Sequence, residues 1–406
     1  MIEKCRSCGD PGLHHFLSLG AMPLANALVP EEWMELAEAR YMLELTFCSN
    51  CCLVQTTETV PPQAMFVDYV YFSSNSTTMM RHAADIADRM IEQLSLGPDT
   101  LAVEIASNDG YLLKNYVSKG IPVQGIDPAR NVAAVAIEAG VPTIAEFFGI
   151  DLAERLVAEG KAASVIHANN VIGHVPDING FVSGIKELLA PGGLAVIETP
   201  YVVQMIDQVE FDTIYHEHLF YYSVLSATAL FERNGLTVAD VEPIDIHGGS
   251  LRFFLRHEGE RGPSVSRFIE EEKALRIDKR EYYGDFANKV AELKESLTSM
   301  LRDLKAKGHR IAAYGAAAKG STLLNAFGIG RETLDYVADR SPYKQGRYMP
   351  GVRLPIKPAE TIDTDRPDEV LLLTWNFAEE ILEQRKAYIE NGGRFIVPVP
   401  TPRFLS

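Results

Sequence analysis

The stretch LAVEIASNDG, Leu101 to Gly110, constrains this chain more than any other. Its apolar run Leu101–Ile105 predicts a buried strand. The small and polar residues Ala106 to Gly110 predict a turn into a helix, YLLKNYVSKG. A strand, a tight turn and a helix start present backbone N–H groups to a ligand. A second strand, VQGID, ends at Asp127. That lies near the spacing of about 20 residues at which an acidic side chain meets a ribose hydroxyl. The loop lacks G-x-G-x-x-G, and Ala106 stands where the first glycine would be, which argues against a dinucleotide. An ordinary βα unit without a ligand fits the same residues.

The pattern continues. Strands are expected near Ala102–Ile105, Val123–Ile126, Ala163–Ala168, Gly193–Glu198 and Leu251–Arg256, with helices between them. Such alternation predicts a parallel sheet with covered faces and a ligand at the carboxyl ends of its strands. Polar residues collect there: Glu104 inside a strand, Asp127 ending one, Asn169 and Asn170 after another, His174 shortly beyond. Pro263 to Lys307 is charged and helical, a connector packed on one face. From His309 the βα pattern restarts, with strands Arg310–Tyr314, Leu334–Ala338, Glu369–Thr374 and Arg394–Val397. Helices are expected over Thr322–Phe327 and Phe377–Glu390. The loop GAAAKGS is not a Walker loop, yet small residues and Lys319 at a helix start suit a phosphate. Arg340, Lys344 and Arg347 in RSPYKQGRYMPG add positive charge. A second α/β unit with no ligand fits equally well.

Four of the five cysteines form C-x-x-C pairs, Cys5/Cys8 and Cys48/Cys51. Four thiolates in two knuckles make a closed tetrahedral zinc site with no position for water. The gap between the pairs exceeds that of an ordinary zinc ribbon, so an insertion is expected inside it. Cys52 competes with Cys51 as the fourth ligand; Cys51 is preferred because its spacing repeats that of the first pair.

A net charge of −17 over 406 residues excludes a general nucleic-acid binder and leaves room for one local basic pocket. The length predicts two or three domains. No apolar run approaches a membrane span, and MIEKCRSCGD has no signal-peptide core. A soluble, cytoplasmic protein with reduced thiols is expected.

The segment FDTIYHEHLFYYS holds Tyr215, His216, Glu217 and His218 among aromatics. A histidine takes a proton near neutral pH, and a neighbouring carboxylate orients it. H-E-H is not H-E-x-x-H, so a metal site is not expected there. His247 in IHGGS follows the same logic beside two glycines. In VDYVYFSSNST, Tyr69 and Tyr71 are extended. Ser73 to Thr78 form a polar turn, with Ser76 or Thr77 capping the next helix. Two surface histidines and packed tyrosines are the bland alternatives.

Taken in order, these motifs resemble the S-adenosylmethionine-dependent sugar C-methyltransferases that act on nucleotide-linked 4-keto deoxysugars. The resemblance rests on CRSC, LGAMPLAN and CSNCCLVQ; then YVYFSSNST, VEIASNDGYLL, GIDP, ANNVIGHVPD, FDTIYHEHLFYYS and IHGGS; then YGAAAKGSTLLN, DRSPYKQGRYMPG and TWNFAEEI. It implies an α/β chain in four parts. These are a zinc-binding module (1–72), a Rossmann-like class I methyltransferase domain (73–258), a helical connector (259–308) and a second Rossmann-like domain for the nucleotide sugar (309–406). S-adenosyl-L-methionine and structural zinc are the implied cofactors, and a nucleotide-diphosphate sugar is the implied partner. Glu104, Ala106, Asn108, Asp109, Gly110, Asp127, Phe147 and Asn169 would hold the methyl donor, with Phe147 stacked on adenine. His218 falls where the family keeps its base, with Tyr215 and Glu217 beside it; His216 and His247 compete on chemistry alone. Tyr71, Ser73, His174, His247, Tyr314, Lys319, Asp339, Lys344 and Trp375 would meet the substrate. The family has glycine where this chain has Ala106, a change expected to be tolerated with φ negative. An O-methyltransferase, an NAD-dependent nucleotide-sugar oxidoreductase and a non-catalytic zinc-anchored binding protein are the other readings.

Overall fold

The computed structural model describes residues 2–65, 72–246 and 248–405. Tyr71 and His247, both expected at the substrate, and Tyr69 lie outside the described residues.

The N-terminal part is a small antiparallel sheet of β1 (Leu13–Met22), β2 (Tyr41–Cys48) and β3 (Val54–Thr56). The insertion between the knuckles is β1, a loop that reaches Tyr348 and Gly351, and β2. There Val29 bridges Tyr348, and Glu38 takes the Gly351 N–H at 2.9 Å.

Helix α1 (Thr77–Leu94) leads into the central unit. Ser76 caps it, its hydroxyl accepting the Met79 N–H at 3.3 Å. Met79, Ala83, Ile86, Ala87 and Met90 recur at helical spacing and bury one face. Next come β4 (Ala102–Ile105), α2 (Leu113–Val117), β5 (Val123–Ile126), α3 (Arg130–Glu138) and β6 (Thr143–Ile144). These are followed by α4 (Ile150–Ala158), β7 (Ala163–Asn169), α5 (Ile178–Leu188), β8 (Leu189–Pro200) and α6 (Val202–Asp207). The two-residue strand β9 (Phe220–Tyr221) leaves this unit and pairs with β3, Val54 opposite Tyr221. Helix α7 (Val224–Arg233), β10 (Thr237–Ile244) and β11 (Ser250–Arg256) complete it. The sheet order is β10-β11-β8-β7-β4-β5-β6.

One expectation fails here. The sheet is not wholly parallel, because β11 runs antiparallel between β8 and β10. Ile244 at the end of β10 pairs with Ser250 at the start of β11, so the two strands form a hairpin, which needs no crossover helix.

The connector is α8 (Pro263–Ala274), α9 (Arg280–Tyr283) and α10 (Phe286–Ala306). Val290, Leu293, Leu297, Leu301 and Leu304 of α10 form the stripe that meets the other units. The C-terminal unit follows as β12 (Ile311–Tyr314), α11 (Ala318–Phe327), β13 (Val337–Asp339), β14 (Ile356–Pro358), β15 (Glu369–Leu372), β16 (Arg394–Val397) and β17 (Arg403–Leu405). Its strands order as β14-β13-β12-β15-β16-β17, parallel except for the last pair. The expected helix over Phe377–Glu390 is two, Ala378–Gln384 and Lys386–Glu390, broken at Arg385.

One of the buried apolar clusters draws residues from all of these parts. Leu43 and Phe47, Ile206 and Phe211, Leu297, and Leu323 and Phe327 belong to the same buried cluster. The site below depends on this continuity. Among the described residues, no helix is long and apolar enough to cross a membrane.

Candidate active site

The carboxyl ends of β4, β5, β7 and β8 open into a cavity of about 650 Å³. The far wall comes from the start of α11 and the residues after β13 and β15.

The loop after β4 forms one end. Ala106, Asn108 and Gly110 all adopt the left-handed conformation, at φ +59°, +50° and +78°. The alternate positions of this loop therefore demand what glycine accepts freely, and only the third is glycine. The expectation that Ala106 keeps a negative φ is thus overturned. Asn tolerates this region because its short polar side chain bonds locally. The Asn108 Oδ1 accepts the Ser73 N–H at 2.9 Å, and Asp109 Oδ2 accepts that of Ser74 at 3.1 Å. A Cβ on Gly110 would meet Val141 at 2.9 Å.

Asp127 closes the loop from the neighbouring strand. Its Oδ2 accepts the Asn108 N–H at 2.8 Å, and its Oδ1 that of Ala129 at 2.9 Å. Burial raises its pKa, while the two N–H groups oppose the rise. Ala106, Asn108, Asp127, Phe147 and Asn169 line the cavity. Phe147 is 44 % exposed, a free aromatic face at the mouth. Both amide atoms of Asn169 are buried without a hydrogen-bond partner among the described residues, as befits groups that await a ligand.

Glu104, Asp109 and Gly110 do not line the cavity. Asp109 and Gly110 shape the loop instead. Glu104 lies within β4, 1 % exposed, and burial holds its carboxyl well above the usual range, with Asp109 and Asp127 adding to the shift.

The expected base is held from behind. His218 Nδ1 stands 2.7 Å from the Thr213 carbonyl oxygen. A carbonyl only accepts, so Nδ1 carries the proton, and in a neutral ring the lone pair then lies on Nε2. His218 lines the cavity inside an aromatic frame. Tyr215 lies 3.8 Å away between ring centroids, His174 4.8 Å, edge-on, and Tyr221 6.4 Å. Burial lowers the His174 pKa to about 4, so this ring is neutral at neutral pH.

The neighbours of His218 in sequence point elsewhere. Glu217 is outside the cavity, and its Oε1 accepts from Asn26 Nδ2 at 2.7 Å. Burial pushes its pKa up to about 7. His216 is buried too, with Nε2 donating to the Tyr41 carbonyl at 3.1 Å and its ring edge-on to Tyr41. The turn Tyr215–His218, closed by the His218 N–H on the Tyr215 carbonyl at 2.8 Å, carries His216 and Glu217 to the N-terminal module and leaves His218 on the cavity.

At the opposite wall, Asp339 repeats the device of Asp127. It accepts the N–H of Ala316 at 2.7 Å and of Ser341 at 2.8 Å. Lys344 Nζ donates to the Ala316 carbonyl at 2.8 Å, so it braces the loop as well as lining the cavity. Lys319 Nζ is buried, lacks a hydrogen-bond partner among the described residues and lies 4.3 Å from the Trp375 ring centroid. Burial lowers its pKa against the pull of Asp212 and Glu210.

Two expected substrate contacts are absent from the cavity wall. Tyr314 faces the other side of its sheet with Tyr336 and Tyr388, because side chains alternate along β12 and Ala313 takes the near face. Trp375 stands behind Lys319 and donates Nε1–H to Asp212 at 2.7 Å. The cavity wall also has residues that the sequence reading passed over. Asn26, Pro62 and Gln63 come from the N-terminal module; Asn26 ends the motif LGAMPLAN, and no local motif marks Pro62 or Gln63. Tyr221, whose buried hydroxyl has no partner among the described residues, had a signal in the run of aromatics after His218.

Away from the cavity, the Sγ atoms of Cys5, Cys8, Cys48 and Cys51 lie within 4.8 Å of one another. The Cys5–Cys51 and Cys8–Cys48 separations are each 3.6 Å. Zinc–sulfur bonds of about 2.3 Å in a tetrahedron put sulfurs about 3.8 Å apart. Gln55 Nε2 donates to Cys5 Sγ at 3.1 Å, a bond that favours the thiolate. Cys52 is excluded by its backbone. Its N–H bonds to the Cys48 carbonyl at φ +61°, as Gly9 bonds to Cys5 at φ +76°. It is the turn residue of the second knuckle.

Three family models match successive parts of the chain: "Putative zinc binding domain" over residues 5–66, "Methyltransferase domain" over 79–241 and "C-methyltransferase C-terminal domain" over 245–400. The C-methyltransferase NovU of Streptomyces niveus is 36% identical over 408 aligned positions, spanning 100% of this chain and 97% of that protein.

The chain belongs to the C-methyltransferase family.

A ubiquinone biosynthesis O-methyltransferase of Methylobacterium sp. is 33% identical over 28% of this chain and 48% of its own length. A solved S-adenosylmethionine-dependent methyltransferase from Clostridium acetobutylicum aligns over 44% of this chain and 92% of that one, at 11% identity and a TM-score of 0.36. The C-methyltransferase uses S-adenosyl-L-methionine as methyl donor and carries zinc on its four-cysteine cluster. The oxidoreductase and non-catalytic readings are set aside by a full-length relative that is a C-methyltransferase.

Proposed function

We propose that the enzyme methylates C3 of a nucleotide-diphosphate-linked 4-keto deoxysugar, after base removal of the C3 proton. The observation that carries this reading is the single cavity shared by His218, the loop at Ala106 and the start of α11 at Lys319. A proton acceptor, a nucleoside site and an anion-friendly helix start meet where one substrate can touch all three.

The ketone at C4 acidifies the proton on C3. His218 takes that proton on Nε2, and its Nδ1–H stays on Thr213, which stabilises the cation that forms. Charge then gathers on the C4 oxygen, where a donor is required. Tyr215, neutral His174 and the Tyr221 hydroxyl all border His218. Tyr71, adjoining Phe72, remains a further candidate. Ala106, Asn108, Asp127, Phe147 and Asn169 would hold the methyl donor, and Ser73, bonded to Asn108 of that loop, would face the sugar. When bound, S-adenosyl-L-methionine supplies an electrophilic methyl on a sulfonium. Lys319, with Asp339 and Lys344 shaping the loop beside it, would receive the diphosphate. Residues 73–258 then serve the methyl donor and 309–406 the nucleotide, joined by 259–308. The reading needs no nucleic acid. It implies a cytoplasmic setting, where thiolates stay reduced.

The test is incubation with a panel of 4-keto nucleotide sugars, followed by product mass and NMR. A methyl group on oxygen, or on a carbon other than C3, overturns the reading. Deuterium exchange at C3 in D₂O with S-adenosylhomocysteine present isolates proton removal. His218→Asn should lower both exchange and kcat by about 10²–10⁴-fold with cofactor affinity nearly intact, and His216→Asn should do much less. Equal exchange in wild type and His218→Asn makes another residue the base, with His247 next in line.

A further inference from the structure

The carbonyl that holds His218 belongs to a turn that the C-terminal unit grips. Phe211, Asp212 and Thr213 form a short 3-10 turn just upstream of the base. Phe211 stacks on Phe327 of α11, ring centroids 4.6 Å apart. Thr322 Oγ1 donates to the Ile214 carbonyl at 3.1 Å. Trp375 Nε1–H donates to Asp212 Oδ2 at 2.7 Å. Three grips thus flank Thr213, and the Trp375 bond falls on the residue next to it. Packing alone does not require that bond, since a phenyl ring fills most of the same space. Asp212 is fully buried, and burial raises its pKa, so losing the indole N–H leaves a buried carboxyl oxygen without its donor. Among the described residues, the charged groups that face this carboxylate are Lys319 and Glu210, and the rings around the base are His174, Tyr215 and Tyr221.

We infer that Trp375 is a positioning residue for the base: through Asp212 it fixes the Thr213 carbonyl that orients the His218 imidazole. The inference rests on the reading of His218 as the base. The same indole carries Lys319 on its face, so an anion that engages Lys319 meets the group that steadies His218.

The test uses full-length zinc-loaded enzyme labelled with ¹⁵N-histidine. The His218 Nδ1–H resonance is assigned by its loss in His218→Asn. In wild type it should be sharp and slow to exchange with water. In Trp375→Phe, which keeps a ring against Lys319, it should shift and exchange at least about tenfold faster. Asp212→Ala should reproduce that loss. Asp212→Asn, which keeps an acceptor for the indole, should restore most of the wild-type signal. With thymidine diphosphate 4-keto-6-deoxyglucose as probe, Trp375→Phe should lower kcat and C3 exchange by about tenfold at nearly unchanged KM. A wild-type Nδ1–H signal in Trp375→Phe overturns the inference. So does a defect confined to KM, which would make Trp375 part of the binding wall. Should Trp375→Phe disturb the resonance while His218→Asn leaves C3 exchange unchanged, the positioning stands and the assignment of the base has failed.

Discussion

Asp127 and Asp339 hold the same place in two different sheets. Each sits at the end of the strand beside the first of its unit, and each accepts two backbone N–H groups, from Asn108 and Ala129 or from Ala316 and Ser341. In both units the carboxylate ties a small-residue loop to its neighbour and so opens the cavity from opposite ends.

The two carboxylates should separate by function. Asp127→Ala leaves two N–H groups unpaired, at a cost of about 1–3 kcal/mol each where they stay buried, and should weaken S-adenosylmethionine binding. Asp339→Ala should cost comparable stability and weaken nucleoside diphosphate binding, with cofactor affinity near wild type. Denaturant unfolding and calorimetry of both variants against both ligands check this.

Ala106 stands at φ +59°, where an L-residue is strained by roughly 1–2 kcal/mol. Glycine relieves that strain but gains freedom in the unfolded chain, which offsets about 0.4–1 kcal/mol. Ala106→Gly should therefore stabilise the protein by up to about 1 kcal/mol, and Ala106→Val should destabilise it. Urea midpoints at constant m decide.

Glu217 has a pKa raised by burial to about 7, above its ordinary 4.5. The folded chain then holds a proton that the unfolded chain has lost between these values. Stability from this group is full below about pH 4.5, falls as pH rises toward 7 and levels off above. Glu217→Gln keeps an acceptor for Asn26 and removes the titration. It should match wild type near pH 4.5 and exceed it at pH 8 by up to about 3 kcal/mol. Melting temperatures of the pair across that range provide the check.

Protein purified without added zinc should contain one zinc per chain. Cys51→Ser should lose it and unfold the N-terminal module, which supplies Asn26 and Gln63 to the cavity, so activity should fall as well. Cys52→Ser should keep its metal. Metal analysis with activity on the same samples tests both.

Much of this was legible in the chain as written, because it is local and periodic. Apolar runs of strand length between helical repeats gave the strands β4, β5, β7 and β16 to within a residue or so. The repeated x-x spacing singled out Cys5, Cys8, Cys48 and Cys51, which converge within 4.8 Å. The ends of those strands located the loop at Ala106, Asp127 and Asn169, because a parallel sheet leaves its loops there. What tertiary structure decided was direction. Glu217 and His218 are neighbours, yet one side chain serves Asn26 and the other the cavity. Tyr314 turned away by the alternation of a strand whose near face its sequence did not declare. Cys52 was removed from the metal by a left-handed φ, and Trp375 was drawn from the substrate to Asp212, a residue far off in the chain. Cys52 was decided by a local turn, and the other three share one physical reason. Spacing along a chain sets which residues share an element, whereas the partner of a side chain is set by what packs across from it, and those partners come from distant sequence.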